Sequence, residues 1–148
     1  MKYIFGFLAL LLSSSLFAAT TPTIDGLWEA RYEASNTPSA HIRISTQPNG
    51  EIQGIIEDAF PRPGQTPYDR CTKCTGANKD HPIKGLKVLW GMKPKGNNKW
   101  KGGHVMDAEN GKIYSGTITL ADDGKELDLR GYIGTPLFGS TATWRRIQ

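Results

Sequence analysis

The clearest structural signal in the chain lies in residues 113–132, which read IYSGTITLADDGKELDLRGY. In the first half, hydroxyl residues alternate with four apolar or small residues, Tyr114, Gly116, Ile118 and Leu120; in the second half, leucines alternate with charged residues. Alternation with a period of two is typical of a β-strand that buries one face and exposes the other. The Asp-Asp-Gly segment between the halves has the residue types of a tight turn. The stretch therefore predicts a β-hairpin.

The same organisation continues on both sides of this hairpin, from Gly26 to the C-terminus. Glycine, proline, asparagine and aspartate recur at short intervals between brief segments that tend to alternate, which is typical of strands joined by turns. No segment has the apolar period of 3.6 residues that an amphipathic helix would show over ten positions. The pattern predicts eight strands: Gly26 to Glu33, His41 to Gln47, Glu51 to Asp58, Leu86 to Met92, Lys99 to Asp107, Lys112 to Leu120, Glu126 to Tyr132 and Ser140 to Ile147.

An antiparallel meander of about eight strands must bury one apolar face and protect two open edges. Closure into a barrel satisfies both requirements. We therefore expect an all-β fold, a single up-and-down antiparallel β-barrel, with a β-sandwich as the alternative architecture. A barrel of this size either fills its interior with side chains or holds one small ligand.

The N-terminus has the three-part plan of a secretory signal peptide, with a basic start, a short apolar run and small residues at the end. We predict residues 1–18 as the signal, with cleavage after Ala18 in preference to Ala19, and residues 19–148 as one exported domain. The expected location is periplasmic or secreted. No later segment approaches the roughly 20 apolar residues of a membrane span.

The composition argues against several classes of function. Eighteen Lys and Arg against 14 Asp and Glu give a formal net charge of +4, without a run of four basic residues, so the clustered patch of a nucleic-acid-binding protein is missing. The histidines His41, His81 and His104 form no two-histidine motif, and the sequence has neither a nucleophile elbow nor a phosphate-binding glycine loop. We therefore expect a protein that is not an enzyme and that needs no cofactor or metal.

Residues 59–84 interrupt the regular spacing of the strands. A connection of this length in a compact domain is functional, disordered or held against the domain by a cross-link or by packing. Cys71 and Cys74 are the only cysteines, and in an oxidising compartment such a pair can close a small disulfide. The alternatives are a metal site that enlists Asp80 and His81 and a redox pair. The first lacks the second ligand pair of a strong zinc motif, and the second lacks a following helix.

Large aromatic residues are numerous for a domain of this size. Each of the four tryptophans can pack in the core and at its rim, or can line a ligand site. We predict four aromatic residues as contacts to a ligand or to the 59–84 loop: Trp90, Trp100, Tyr114 and Tyr132.

The two ends of the domain resemble those of lipocalins and related calycins. Gly26-Leu-Trp28 opens the first predicted strand, and Trp144-Arg145-Arg146 lies in the last. In lipocalins the tryptophan of a Gly-x-Trp motif is covered by an arginine from the final strand. The resemblance implies that Trp28 closes the base of the barrel and that Arg145 or Arg146 stacks on it, a cation–π contact of about 0.5 to 2 kcal/mol.

A more specific resemblance covers nearly all of the chain after the signal. The order of short segments is similar to that of the bacterial family known as domain of unknown function 2147, which implies an exported protein with a lipocalin-like barrel and no established activity. The segments are Gly26-Leu-Trp28, Phe60-Pro-Arg-Pro-Gly64, Cys71-Thr-Lys-Cys74-Thr-Gly76, Pro82-Ile-Lys-Gly85-Leu86, Leu89-Trp-Gly91, Trp100-Lys-Gly-Gly103, Asp107-Ala-Glu-Asn-Gly-Lys-Ile-Tyr114, Leu129-Arg-Gly-Tyr-Ile-Gly134 and Thr143-Trp-Arg145.

The chain departs from this family pattern at two positions. Ala108 stands where the family usually has proline, and Ser140 stands where it usually has arginine. The second departure removes a cation that could face a ligand, so the resemblance does not carry an anionic ligand over to this chain.

Three functional hypotheses remain open from the sequence. The first is a non-enzymatic binding protein whose barrel holds a small hydrophobic or amphipathic ligand. The second is an interaction module whose 59–84 loop docks on an envelope protein partner. The third is a redox or metal site at Cys71 and Cys74.

Overall fold

The computed structural model describes residues 13–17 and 21–148. In this part of the chain, a 3₁₀ turn at Gly76–Asn78 accompanies eight strands, whose bounds agree with the predicted ones to within three residues. The agreement follows from the turn residues, which end each strand where the polarity pattern breaks. The strands are β1 (Gly26–Arg31), β2 (Pro38–Thr46), β3 (Ile52–Ala59), β4 (Lys87–Pro94), β5 (Lys99–Met106), β6 (Ile113–Leu120), β7 (Glu126–Tyr132) and β8 (Gly139–Arg146).

The strands close into one antiparallel barrel in their sequence order, and β8 pairs with β1. This confirms the predicted up-and-down barrel and excludes the sandwich, because the eight strands form a single closed sheet. Neighbouring strands run in opposite directions, so the connections after β1, β3, β5 and β7 share one end, which we call the mouth. The connections after β2, β4 and β6 share the opposite end, which we call the base.

The base half of the barrel is filled by side chains. Gly103 in β5 and Gly116 in β6 make room for Met92: a Cβ atom on Gly103 would lie 2.3 Å from Met92 Cγ, and one on Gly116 would lie 2.6 Å from Met92 Cε. These close contacts, in an interior packed like that of other proteins, leave no room for a ligand at this level of the barrel. The side chains that are fully buried here are Trp28, Ile44, Ile52, Leu89, Met92, Ile118, Leu120 and Leu127.

The seam between β1 and β8 is the shortest contact in the barrel. It consists of two residue pairs, Trp28 with Arg146 and Glu29 with Arg145, whereas every other pair of neighbouring strands matches at three or more positions. Toward the mouth, β8 separates from β1, and all residues from 133 to 143 are exposed. The end of the β7–β8 hairpin therefore stands clear of the rest of the barrel.

Candidate functional site

A cavity of about 280 Å³ opens at the mouth of the barrel, above the filled base. Its rim is polar and comes from three separate segments: the end of β1, the β3–β4 connection and the β5–β6 turn. An apolar wall beneath a few polar groups is the usual construction of a small-molecule site. The wall is formed by six side chains: Ile42, Ile56, Val88, Val105, Met106 and Trp144.

Polar contacts at the rim join the three segments. Arg62 Nη2 donates a hydrogen bond to Glu109 Oε2 at 3.0 Å, and the Arg62 guanidinium lies over the Tyr32 ring, 4.4 Å from its centre. The Tyr32 hydroxyl donates to the backbone oxygen of Phe60 at 2.6 Å. The cation therefore meets both a carboxylate and an aromatic face, and residues distant in sequence are held around one opening.

Two tyrosine hydroxyls in this rim remain neutral at physiological pH. Burial raises the pKa of Tyr68 above the ordinary value, and Coulombic repulsion from Tyr32 and Glu109 raises it further. Burial is also the largest cause of the raised pKa of Tyr32, with the charge of Glu109 acting in the same direction. Since an ordinary tyrosine ionises only near pH 10, both groups face the cavity as neutral hydrogen-bonding hydroxyls.

The β3–β4 connection is pinned against the barrel through its two cysteines. Cys71 and Cys74, the predicted pair, are joined in a disulfide, and both are buried in the hydrophobic core together with Ile83. Cys74 Sγ lies 3.7 Å from the sulfur of Met106, a cavity-wall residue. The connection is thus a wall of the barrel mouth and not a free arm.

A glycine in the β5–β6 turn permits this packing. A Cβ atom at Gly111 would lie 2.2 Å from the backbone oxygen of Lys73, and the backbone there has φ +72°. Any side chain would push the turn away from the cysteine segment. The turn that carries Glu109 and the connection that carries Arg62 consequently lie close enough for their ion pair.

We expect removal of the disulfide to loosen this connection while the barrel stays folded. In the double variant Cys71→Ala/Cys74→Ala, the unfolded chain gains the conformational freedom that the cross-link had removed. The free energy of unfolding should therefore fall by about 2 kcal/mol, the value for a loop this short. Limited trypsin digestion should then cut faster at Arg70, Lys73 and Lys79, with unchanged tryptophan fluorescence. Wild-type protein treated with a reductant should behave in the same way. Equal cleavage rates in all samples would show that apolar packing alone holds the connection.

The disulfide and its burial argue against a redox or metal site at Cys71 and Cys74. A disulfide offers no thiolate to a metal or a substrate, and the two residues are 1% and 2% exposed. Among the described residues, no cluster of three or more His, Cys, Asp and Glu side chains is placed to hold a metal ion. His81 points elsewhere, with Nδ1 at 2.6 Å from the backbone oxygen of Pro82.

At the base of the barrel, Arg146 and not Arg145 covers the tryptophan of β1. Its guanidinium lies 4.4 Å from the centre of the Trp28 ring, and it donates hydrogen bonds to the backbone oxygens of Gly124, Asp25 and Thr23. The Trp28 indole is fully buried and donates to the Ile24 oxygen at 2.9 Å. Arg145 is exposed, because successive strand residues point to opposite faces.

The structure places the four predicted aromatic contacts away from the mouth cavity. Trp90 lies on the outer surface of β4, where it stacks on His104 with ring centres 5.6 Å apart. Trp100 lies at the base beside the 95–98 turn, and Tyr114 and Tyr132 lie together below the tip of the β7–β8 hairpin. Val88, Leu89 and Trp90 form an apolar run without alternation, so the sequence could not separate Trp90 from Trp144, the tryptophan that does line the cavity.

The predicted cleavage residues Ala18 and Ala19 lie outside the described residues, as does most of the predicted signal. Residues 13–17 are exposed. Among the described residues, no helix has the length and apolarity that crossing a membrane would require.

Sequence reasoning did not single out the rim residues Tyr32, Arg62, Tyr68 and Glu109. A signal was available, since Arg62 and Glu109 lie in two of the segments that carry the family resemblance. Arg62 follows the third predicted strand and Glu109 follows the fifth. In an up-and-down barrel these two connections lie at the same end. Opposite charges in two such segments indicate a contact across the mouth.

Comparisons with known proteins agree with this geometry. The profile of a family described as "Uncharacterized protein conserved in bacteria (DUF2147)" matches residues 26–146. Among solved structures, the chain is similar to protein HP1028 from the human pathogen Helicobacter pylori, which is described as belonging to the lipocalin family. The TM-score is 0.72 at 17% identity, over 86% of this chain and 85% of that chain. A search of curated proteins finds no match.

The likeness to the Helicobacter pylori protein, at this low identity, concerns the fold alone: the barrel is lipocalin-like. The family match extends from Gly26, the first residue of β1, to Arg146, the last residue of β8. The chain is therefore a member of this uncharacterized bacterial family and has a lipocalin-like barrel.

Proposed function

We propose that this protein is an exported, non-enzymatic carrier or sensor that binds one small amphipathic molecule in the mouth cavity. The observation that carries the proposal is the division of the barrel interior. The base half is filled by side chains, while the mouth half keeps a cavity of about 280 Å³ with an apolar wall and a polar rim. Small-molecule pockets begin at about 300 Å³, so the expected ligand is small.

The charges at the rim disfavour a ligand whose polar end is anionic. Two guanidinium groups, those of Arg31 and Arg62, face three carboxylates, those of Glu33, Asp107 and Glu109. Arg62 is paired with Glu109 and Arg31 with Glu29, at 3.0 and 2.9 Å. With both cations already paired and the Tyr32 O–H donated to Phe60, the oxygens of Tyr32 and Tyr68 remain as hydrogen-bond acceptors for an alcohol or amide.

The alternative role for the cysteine-containing connection, a docking arm for an envelope protein, has less support. Cys71, Cys74 and Ile83 are buried against the barrel, so their side chains are not available to a partner. The connection contributes Arg62 and Tyr68 to the cavity lining instead.

A fluorescence titration tests the proposal. The protein is purified from the envelope fraction, its N-terminus is determined by mass spectrometry, and it is titrated with N-phenyl-1-naphthylamine, a small neutral apolar fluorophore. We expect saturable binding at one site per chain with energy transfer from Trp144. The variant Ala40→Phe places a ring among the cavity-lining residues and should weaken binding at least tenfold.

The matched control is Ala121→Phe, the same exchange in the β6–β7 turn at the base. It should leave the affinity unchanged, and thermal unfolding should show that both variants are folded. Fluorophore binding that does not saturate, or equal affinity in Ala40→Phe and wild type, would contradict the proposed function.

A further inference from the structure

The tip of the β7–β8 hairpin carries an exposed apolar patch that the barrel core does not explain. Ile133, Leu137 and Phe138 are 67%, 85% and 76% exposed, and Ile113 at the adjacent start of β6 is 49% exposed. Among the described residues after position 20, Ile147 is the one other large hydrophobic residue with comparable exposure. Large exposed apolar side chains usually occur singly, and a cluster marks an interaction surface. We call Ile113, Ile133, Leu137 and Phe138 the tip patch.

The hairpin tip is built to project these side chains. Residues 133–138 form a turn closed by backbone hydrogen bonds from Ile133 to Phe138 and from Phe138 to Thr135. Arg130 supports the turn from below, since its Nε donates to the Pro136 oxygen at 2.8 Å. The tip is thus an ordered, convex projection beyond the end of the seam with β1.

The residues beneath the tip have the character of a membrane interface. Tyr114 and Tyr132 are half-buried and lie against Ile133 and Phe138, and tyrosine rings are favoured where one end is apolar and the other is wet.

The two segments that form the tip carry basic charges. Residues 110–121 and 129–143 contain Lys112 and Arg130 and no aspartate or glutamate. Lys112, next to Ile113, is exposed, while Asp107 and Glu109 lie across the β5–β6 turn from it and Glu109 is paired with Arg62. An apolar projection with an exposed lysine beside it complements the surface of a bilayer that contains anionic lipids.

We propose that the tip patch docks the mouth end of the barrel reversibly on an anionic lipid bilayer. Leu137 and Phe138 enter the boundary between headgroups and acyl chains, Tyr114 and Tyr132 lie at headgroup level, and Lys112 faces the lipid phosphates. The mouth cavity then opens close to the bilayer surface. The docking itself does not depend on whether the cavity is occupied.

Vesicle co-sedimentation tests the docking with the exported form of the protein. Vesicles of phosphatidylethanolamine and phosphatidylglycerol should bind the protein, and vesicles of phosphatidylcholine should bind it at least fivefold more weakly. The double variant Leu137→Ser/Phe138→Ser should lower the partition coefficient on anionic vesicles at least tenfold. The control Ile147→Ser removes an exposed apolar side chain near the base and should bind like wild type.

A second readout reports the depth of insertion. The variant Phe138→Trp should lose part of its fluorescence on vesicles that contain lipids brominated in the acyl chain, whereas wild type should show less quenching. The proposal is overturned if wild type does not bind anionic vesicles, or if the double variant binds them as well as wild type. It is also overturned if sedimentation shows a wild-type dimer that the double variant converts to a monomer, without vesicle binding, because the patch would then be an interface between two copies.

Discussion

Replacement of Arg146 by alanine is expected to lower the free energy of unfolding by about 2 to 4 kcal/mol. The substitution removes a cation–π contact with Trp28, of about 0.5 to 2 kcal/mol. It also removes the charged donor from the exposed backbone oxygens of Thr23 and Asp25 and from the part-buried oxygen of Gly124, and a hydrogen bond to a charged group is worth about 1.5 to 3 kcal/mol. Denaturant unfolding monitored by tryptophan fluorescence measures the change.

The neighbouring residue provides the control. Arg145→Ala removes the same charge from the same strand, but Arg145 is exposed and should cost less than about 0.5 kcal/mol. The variant Arg146→Lys keeps the charge and loses the planar fork, so it should recover only a small part of the loss. Equal effects of Arg145→Ala and Arg146→Ala would show that net charge, and not the closure of the base over Trp28, stabilises the barrel.

Replacement of Gly103 by alanine is expected to destabilise the barrel by about 3 kcal/mol or more. The added Cβ would lie 2.5 Å from the Trp90 backbone oxygen and 2.6 Å from the Met92 nitrogen, besides its contact with the Met92 side chain. Overpacking of a core typically costs about 1 to 3 kcal/mol. The cost should reach the upper end because the backbone of β4 cannot move without loss of its pairing with β5.

Gly131→Ala in β7 is the matched control, since its Cβ would find its nearest neighbour, Val105 Cγ1, at 3.5 Å. That distance is an ordinary van der Waals contact. Because alanine restricts the unfolded chain more than glycine does, the substitution should be neutral or should stabilise the protein by up to about 1 kcal/mol. Adding Met92→Ala to Gly103→Ala should not restore stability, because the backbone contacts remain. Full restoration would mean that the Met92 side chain alone requires the glycine.

The number and bounds of the strands could be predicted from the sequence because both depend on local rules. Alternation such as that of residues 113–120 and turn residues such as Asp122-Asp123-Gly124 act over a few positions, and short turns between successive strands fix their antiparallel order. The disulfide between Cys71 and Cys74 was predictable for the same reason, since the two residues are three positions apart. Closure of the sheet followed from the need to bury one face and protect two edges.

The candidate site is different because its residues come together only when the barrel closes. Tyr32, Arg62 and Glu109 belong to three connections, and their contact depends on the common end to which an up-and-down topology brings those connections. Trp144 lines the cavity while Trp90 does not, and the sequence could not show this because the apolar run Val88-Leu89-Trp90 has no polar alternation to mark its inner face.

The all-β class, the eight strands, the family resemblance and the cysteine pair could all be derived from the amino-acid sequence, because each of these depends on neighbours in the chain. The closed barrel was needed to show that Arg146 closes the base in place of Arg145. It was also needed to show that the interior is filled at one end and open at the other, and that the apolar residues of the 133–138 turn are exposed beside the mouth. Burial and long-range pairing are properties of the closed barrel, and local patterns do not carry them.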